Sequence, residues 1–129
     1  DPQYTDEPFI AFLNDTLTAG GLDPSISLLA TGYFFAYPWT ETLRVANELP
    51  GGMSRTNVML AARSIDIYHP LMMDGVAYEL DGAKDAFAIE GSDFSKFDAT
   101  GQTWNIVGDI VDGNGGSPNC AWDKENGGC

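Results

Sequence analysis

Apolar residues in the first half of the chain recur at helical spacing. Phe9, Phe12, Leu13 and Leu17 follow Pro8 three to four residues apart and predict an amphipathic helix that Gly20 and Gly21 bring to an end. Asp6 and Glu7 stand at its start, where unpaired amides form the positive pole of the helix. Asp23, Pro24 and Ser25 then read as a second helix N-terminus, because proline suits the first turn and Asp or Ser can cap the free N–H groups. That helix is predicted over residues 27–49, with a kink or break at Pro38, since proline removes one backbone bond and clashes with the preceding turn. Pro50, Gly51 and Gly52 stop it. Ser54 precedes Val58, Ala61, Ala62 and Ile65, which predicts a short amphipathic helix with Arg55 and Arg63 outside, closed near Tyr68, His69 and Pro70.

From Gly75 onward the pattern changes. Residues 76–80, 87–90, 93–97 and 104–111 read as short strands, separated by turns at Asp81-Gly82, Gly91 and Thr100-Gly101. In 104–111, Trp104, Ile106 and Ile110 share one face while Val107 and Val111 share the other, so cover is expected on both. The expected fold class is therefore mixed α and β: about three helices followed by short strands and a β-hairpin. No internal repeat appears, and the one low-complexity stretch is the Gly/Asn-rich tail. The chain divides into residues 1–112 and a tail over 113–129.

Charge narrows the function. In 129 residues, 6 Lys and Arg against 19 Asp and Glu leave a formal charge of −13. Nucleic-acid affinity comes largely from basic side chains displacing counterions, so no nucleic-acid partner is expected, nor an anionic lipid surface. No apolar run reaches the roughly 18 residues of a membrane span. Residues 26–39 come nearest, but Ser27, Thr31, Gly32 and Pro38 interrupt them, and they read as buried helix or core. The start at Asp1, without an initiator Met or a signal peptide, fits either removal of a leader or excision from a longer protein.

Cys120 and Cys129 both fall in the tail with eight residues between them. A disulfide between them would close a short loop, worth about 2–3 kcal/mol, and would imply an oxidising compartment. Free or intermolecular thiols are the alternative. A zinc site wants about four ligands at short spacing, and the only histidine is His69.

Catalytic motifs are sought and not found. There is no Gly-x-Ser-x-Gly elbow, and His69 stands directly before Pro70 with no evident partner, so it reads as an exposed or hydrogen-bonded residue closing a helix rather than a member of a triad. Neither a Walker loop nor a Gly-x-Gly-x-x-Gly run is present, and no nucleotide cofactor is implied. Asp109, Asp112 and Asn114 miss the calcium-loop spacing, with Asp123 where the closing Glu would stand. Close pairs among so many acids are expected by chance, and a solvated acidic surface outweighs general acid–base work. No metal and no catalytic residue is assigned.

The informative cluster is Tyr33, Phe34, Phe35, Tyr37 and Trp39, five aromatics within residues 32–39. Aromatics dominate cores, and they also line cavities that take apolar solutes. Tyr33 and Tyr37 share one helix face, Phe35 and Trp39 another. One face can line a cleft while the other anchors the helix.

Gly32-Tyr33, Leu43-Arg44-Val45-Ala46, Ser54-Arg55, Val58, Ala61/Ala62, Asp85-Ala86-Phe87 and Trp104 to Gly108 stand in an order that resembles a known family. It is similar to the C-terminal third of the type I solute-binding proteins of ABC importers, the group of leucine/isoleucine/valine-binding proteins. The likeness covers nearly all of residues 3–112; Pro38, the tail and the two cysteines depart from it. It implies an α/β fold with two Rossmann-like lobes that close on a ligand, and an extracytoplasmic, non-catalytic capture protein that needs no cofactor. Its partners would be a small solute, such as a branched-chain amino acid or an amide, and the membrane permease of the importer. Tyr33 or Phe34 would face the ligand, with Tyr37 one turn further on. Hinge strands left exposed in such a segment would favour a homodimer through their edges. A self-contained secreted interaction module is the alternative; an enzyme working through carboxylates ranks last.

Overall fold

A computed structural model describes residues 2–82 and 84–114 of the chain. Cys120 and Cys129, with residues 115–129 of the tail, lie outside the described residues. The fold is mixed α/β: a 3₁₀ turn over Pro2–Tyr4 leads to α1 (Pro8–Ala19), α2 (Ser27–Glu48) and α3 (Arg55–Arg63). Short strands follow, β1 (Asp66–Ile67), β2 (Tyr78–Glu79), β3 (Gly91–Ser92), β4 (Ser95–Asp98), β5 (Thr103–Ile106) and β6 (Val111–Asp112). They pair as three antiparallel ribbons, β1 with β2, β3 with β6 and β4 with β5.

The helices follow the apolar spacing closely. In α1, Pro8 occupies the first turn and Leu13 and Leu17, one turn apart, are its buried residues. Asp23-Pro24-Ser25 does not cap α2. The Asp23 carboxylate instead accepts the Ser25 amide at 2.9 Å and closes a turn ahead of the helix, whose N-cap is Ile26 without a side-chain bond. The Ser25 side-chain and backbone bonds hold the Asp23 carboxyl below the usual aspartate value. α2 also runs unbroken through Pro38, which is buried within it.

The α2–α3 corner is built from polar bonds. Gly51 (φ 93°) and Gly52 (φ 63°) both turn through the left-handed region, which any side chain with a Cβ resists. Ser54 caps α3 by accepting the Asn57 amide at 3.2 Å. Asn57 itself is buried, and its Nδ2 donates to the Pro50 carbonyl at 3.1 Å and the Gly52 carbonyl at 2.7 Å. One side chain thus ties the first turn of α3 to the end of the α2 corner. Small buried residues, Ala46 on α2 and Ala61 on α3, let the two helices pack together.

α3 ends at Arg63, earlier than its apolar spacing suggests. Ile65 is buried beyond the helix end and Asp66–Ile67 pairs with Tyr78–Glu79 as a ribbon. Residues 87–90 form no strand, and Gly91, read as a turn, lies in β3. Its bare Cα faces Val76, where an added Cβ would sit 2.8 Å from Cγ1. Residues 104–111 are not one strand: the chain leaves β5 after Ile106, turns at Gly108 (φ 90°) and resumes as β6 at Val111. Strict alternation over 104–111 is lost there, so the two-face reading holds only for β5.

In the β4–β5 hairpin the register pairs Phe97 with Trp104 and Ser95 with Ile106, placing Phe97, Trp104 and Ile106 on one face. Lys96, Asp98, Thr103 and Asn105 take the other. The Phe97 and Trp104 rings lie 5.0 Å apart. Gln3 reaches back from the 3₁₀ turn and donates to the Trp104 carbonyl at 2.8 Å. The cover expected at least in part on both faces is limited to Ile110, which is half-buried; Trp104, Ile106, Val107 and Val111 are exposed.

Candidate functional site

The aromatic cluster of α2 splits by face as the helix turns. Phe35 is 67% exposed, and Trp39 and Leu28 share its open side. Phe34 and Tyr37 point the other way and meet His69, which follows β1 and is only 3% exposed. The imidazole centroid lies 4.4 Å from the Phe34 ring and 5.1 Å from Tyr37 edge-on, and it stacks on Tyr78 at 5.7 Å. Tyr37 also meets Phe9 of α1 edge-to-face at 6.2 Å. Burial raises the Tyr78 phenol above its ordinary value.

His69 is therefore neither exposed nor at a helix end. Its Nδ1 accepts the Leu71 amide at 3.2 Å, and its Nε2 lies 2.9 Å from the Phe34 carbonyl oxygen. Both ring nitrogens are occupied, which is how a buried imidazole avoids the cost of an unpaired polar atom. The two partners are backbone groups, the Phe34 carbonyl and the Leu71 amide.

Beside this cluster an open cleft of about 340 Å³ is lined by Ala30, Thr31, Phe34 and Leu71. α2 supplies one wall in Ala30, Thr31 and Phe34; Leu71 of the segment after β1 supplies the other. The lining is apolar apart from the Thr31 hydroxyl, which suits an apolar moiety with at most one hydrogen-bonding group. Of the three aromatic positions singled out in the sequence, Phe34 lines the cleft. Tyr37 packs between Phe9 and His69, and Tyr33 is half-buried on α2 without lining the cleft. A smaller hollow of about 130 Å³ lies between α2, the end of α3 and β1 and carries Glu41, Arg44 and Asp66. Arg44 is already held there, bonded to Glu41 at 2.8 Å and Glu48 at 2.9 Å, and these carboxylates raise its pKa.

No known family, curated protein or solved structure matches the chain. Among the described residues no group of three or more His, Cys, Asp or Glu is placed to hold a metal ion, and no helix is long and apolar enough to cross a membrane.

Sequence patterns do not single out Asn57, which ties the α2–α3 corner, or the place of His69 beside the cleft. An Asn three residues after a capping Ser, just beyond Pro-Gly-Gly, is a usable sign that its amide serves the corner. For His69 the sign would have been Pro38, whose need for a donor cannot be matched to a partner 31 positions away without the fold.

Proposed function

We propose that the chain is the C-terminal part of an extracytoplasmic solute-binding protein of an ABC importer, with a periplasmic-binding-protein type I two-lobe fold. The observation that carries the reading is the place of Phe34: an aromatic near the start of the long helix, on the wall of an open, mostly apolar cleft. The described strands pair only as antiparallel two-stranded ribbons, unlike the parallel sheet of a Rossmann-like lobe, so in this reading they would belong to the hinge, each strand lacking a strand neighbour on one side. A second lobe would supply the missing side of the cleft and the groups that grip the polar end of a small solute, such as a branched-chain amino acid or an amide. The protein would be a capture device. Solute would stabilise the closed form by binding it better than the open one, and the membrane permease would receive the solute. Left uncovered, the strand edges would pair with a second copy. A secreted interaction module, the other reading, calls for a closed core, and the exposed aromatic hairpin weighs against it.

The test is thermal unfolding of the longer protein that contains this segment, against amino acids, amides and aromatic acids. A bound solute at a hundred times its Kd adds about 2.7 kcal/mol and a clear rise in Tm. Phe34→Ala should lower that rise, and absence of a shift with every compound would remove the reading.

A further inference from the structure

Pro38 has no amide hydrogen, so it cannot bond the carbonyl four residues back, and its ring crowds that same carbonyl. The carbonyl belongs to Phe34, and it is the group that His69 Nε2 meets at 2.9 Å. The other ring nitrogen accepts the amide of Leu71. Phe34 and Leu71 both line the cleft, one from α2 and the other from the segment after β1. We propose that His69 is a clasp that sets the spacing of the cleft walls, standing in for the amide that Pro38 lacks and joining α2 to the segment carrying Leu71.

The geometry fixes the tautomer. Nδ1 accepts a hydrogen from Leu71, so it carries none, and the neutral ring bears its hydrogen on Nε2, aimed at Phe34. Phe34, Tyr37 and Tyr78 surround the ring and hold its plane. His69 is thus a positioning residue: it acts on a solute through Phe34 and Leu71 and touches none itself. That role rests on the solute-binding reading, whereas the dependence on Pro38 does not.

The dependence makes the proposal testable. Imidazole nitrogen NMR of the unmodified protein should show the ring hydrogen on Nε2 and none on Nδ1. His69→Leu should lower the folding equilibrium constant about tenfold or more, because two hydrogen bonds go and a half-buried carbonyl loses its donor. His69→Gln, whose amide can still reach Phe34, should recover part of that loss, and His69→Asn, which reaches only toward Leu71, should recover less. In Pro38→Ala the residue-38 amide returns to Phe34, so His69→Leu should cost several-fold less there than beside Pro38. Equal losses in the two backgrounds, or an Nδ1–H imidazole, would overturn the clasp. A Pro38-dependent loss in a protein that no solute stabilises would uphold the clasp and remove only the solute reading. Solute binding with no Pro38 dependence would do the reverse.

Discussion

The two halves of this molecule are built differently. Every buried residue among those described lies in the helical half, between Leu13 and His69; from Pro70 to Asn114 none is buried. The helical half has a small apolar core, Leu13, Leu17, Ala46, Ala61 and Ile65, joined by polar groups that are fully bonded, Asn57 at the α2–α3 corner and His69 beneath α2. The strand half holds comparable apolar material, Phe87, Phe94, Phe97, Trp104, Ile106, Val107 and Val111, but leaves it exposed. Two-stranded ribbons are marginal alone and gain stability when a third strand or a helix covers them. The difference is one of cover, not of composition. A large apolar side chain gains about 1.5–3 kcal/mol when fully buried, and in the strand half that gain is not realised.

Substitutions can sharpen the contrast. Leu13→Ala should be the most costly, about 2–3 kcal/mol in chemical denaturation, because it opens a cavity in a core with few other large side chains. Asn57→Ala should follow at about 2 kcal/mol, since the Pro50 and Gly52 carbonyls lose their shared donor. In the strand half, Gly91→Ala should cost about 1–2 kcal/mol by driving a methyl group into Val76. Trp104→Ser, at a residue 53% exposed, should cost less than Leu13→Ala, about 1 kcal/mol with the loss of its ring pair with Phe97. Were Trp104→Ser as costly as Leu13→Ala, the contrast between the halves would be broken.

How much of this is legible in the chain follows the same divide. α1 and α2 are read within a residue or two because their apolar positions keep the 3.6 period and Pro or Gly marks their ends. Of the kink or break expected at Pro38, no break occurs, and the group that meets the Phe34 carbonyl comes from a distant residue, His69. Asp23 looks like a cap and makes a turn instead, a choice decided by one local bond to Ser25. Strands of two residues, such as Asp66–Ile67, are too short to show a period, and Ile65 continues the helical spacing past the end of α3. Gly108 breaks a run that otherwise alternates. In the cleft, the aromatic run points to Phe34, but only the fold separates it from Tyr37, which packs inward, and from Phe35, which faces out.

If the solute-binding reading holds, a second lobe would cover the exposed apolar face of the β4–β5 hairpin. Amide hydrogen exchange measures that directly, because protection reports local opening free energy residue by residue. In the 129-residue chain alone, the amides of α2 and α3 should be strongly protected and those of the β4–β5 hairpin exchange nearly as fast as in an unfolded peptide. In a longer protein carrying the second lobe that this reading proposes, hairpin protection should rise to match α2. Hairpin amides already as protected as those of α2 in the chain alone would contradict the account.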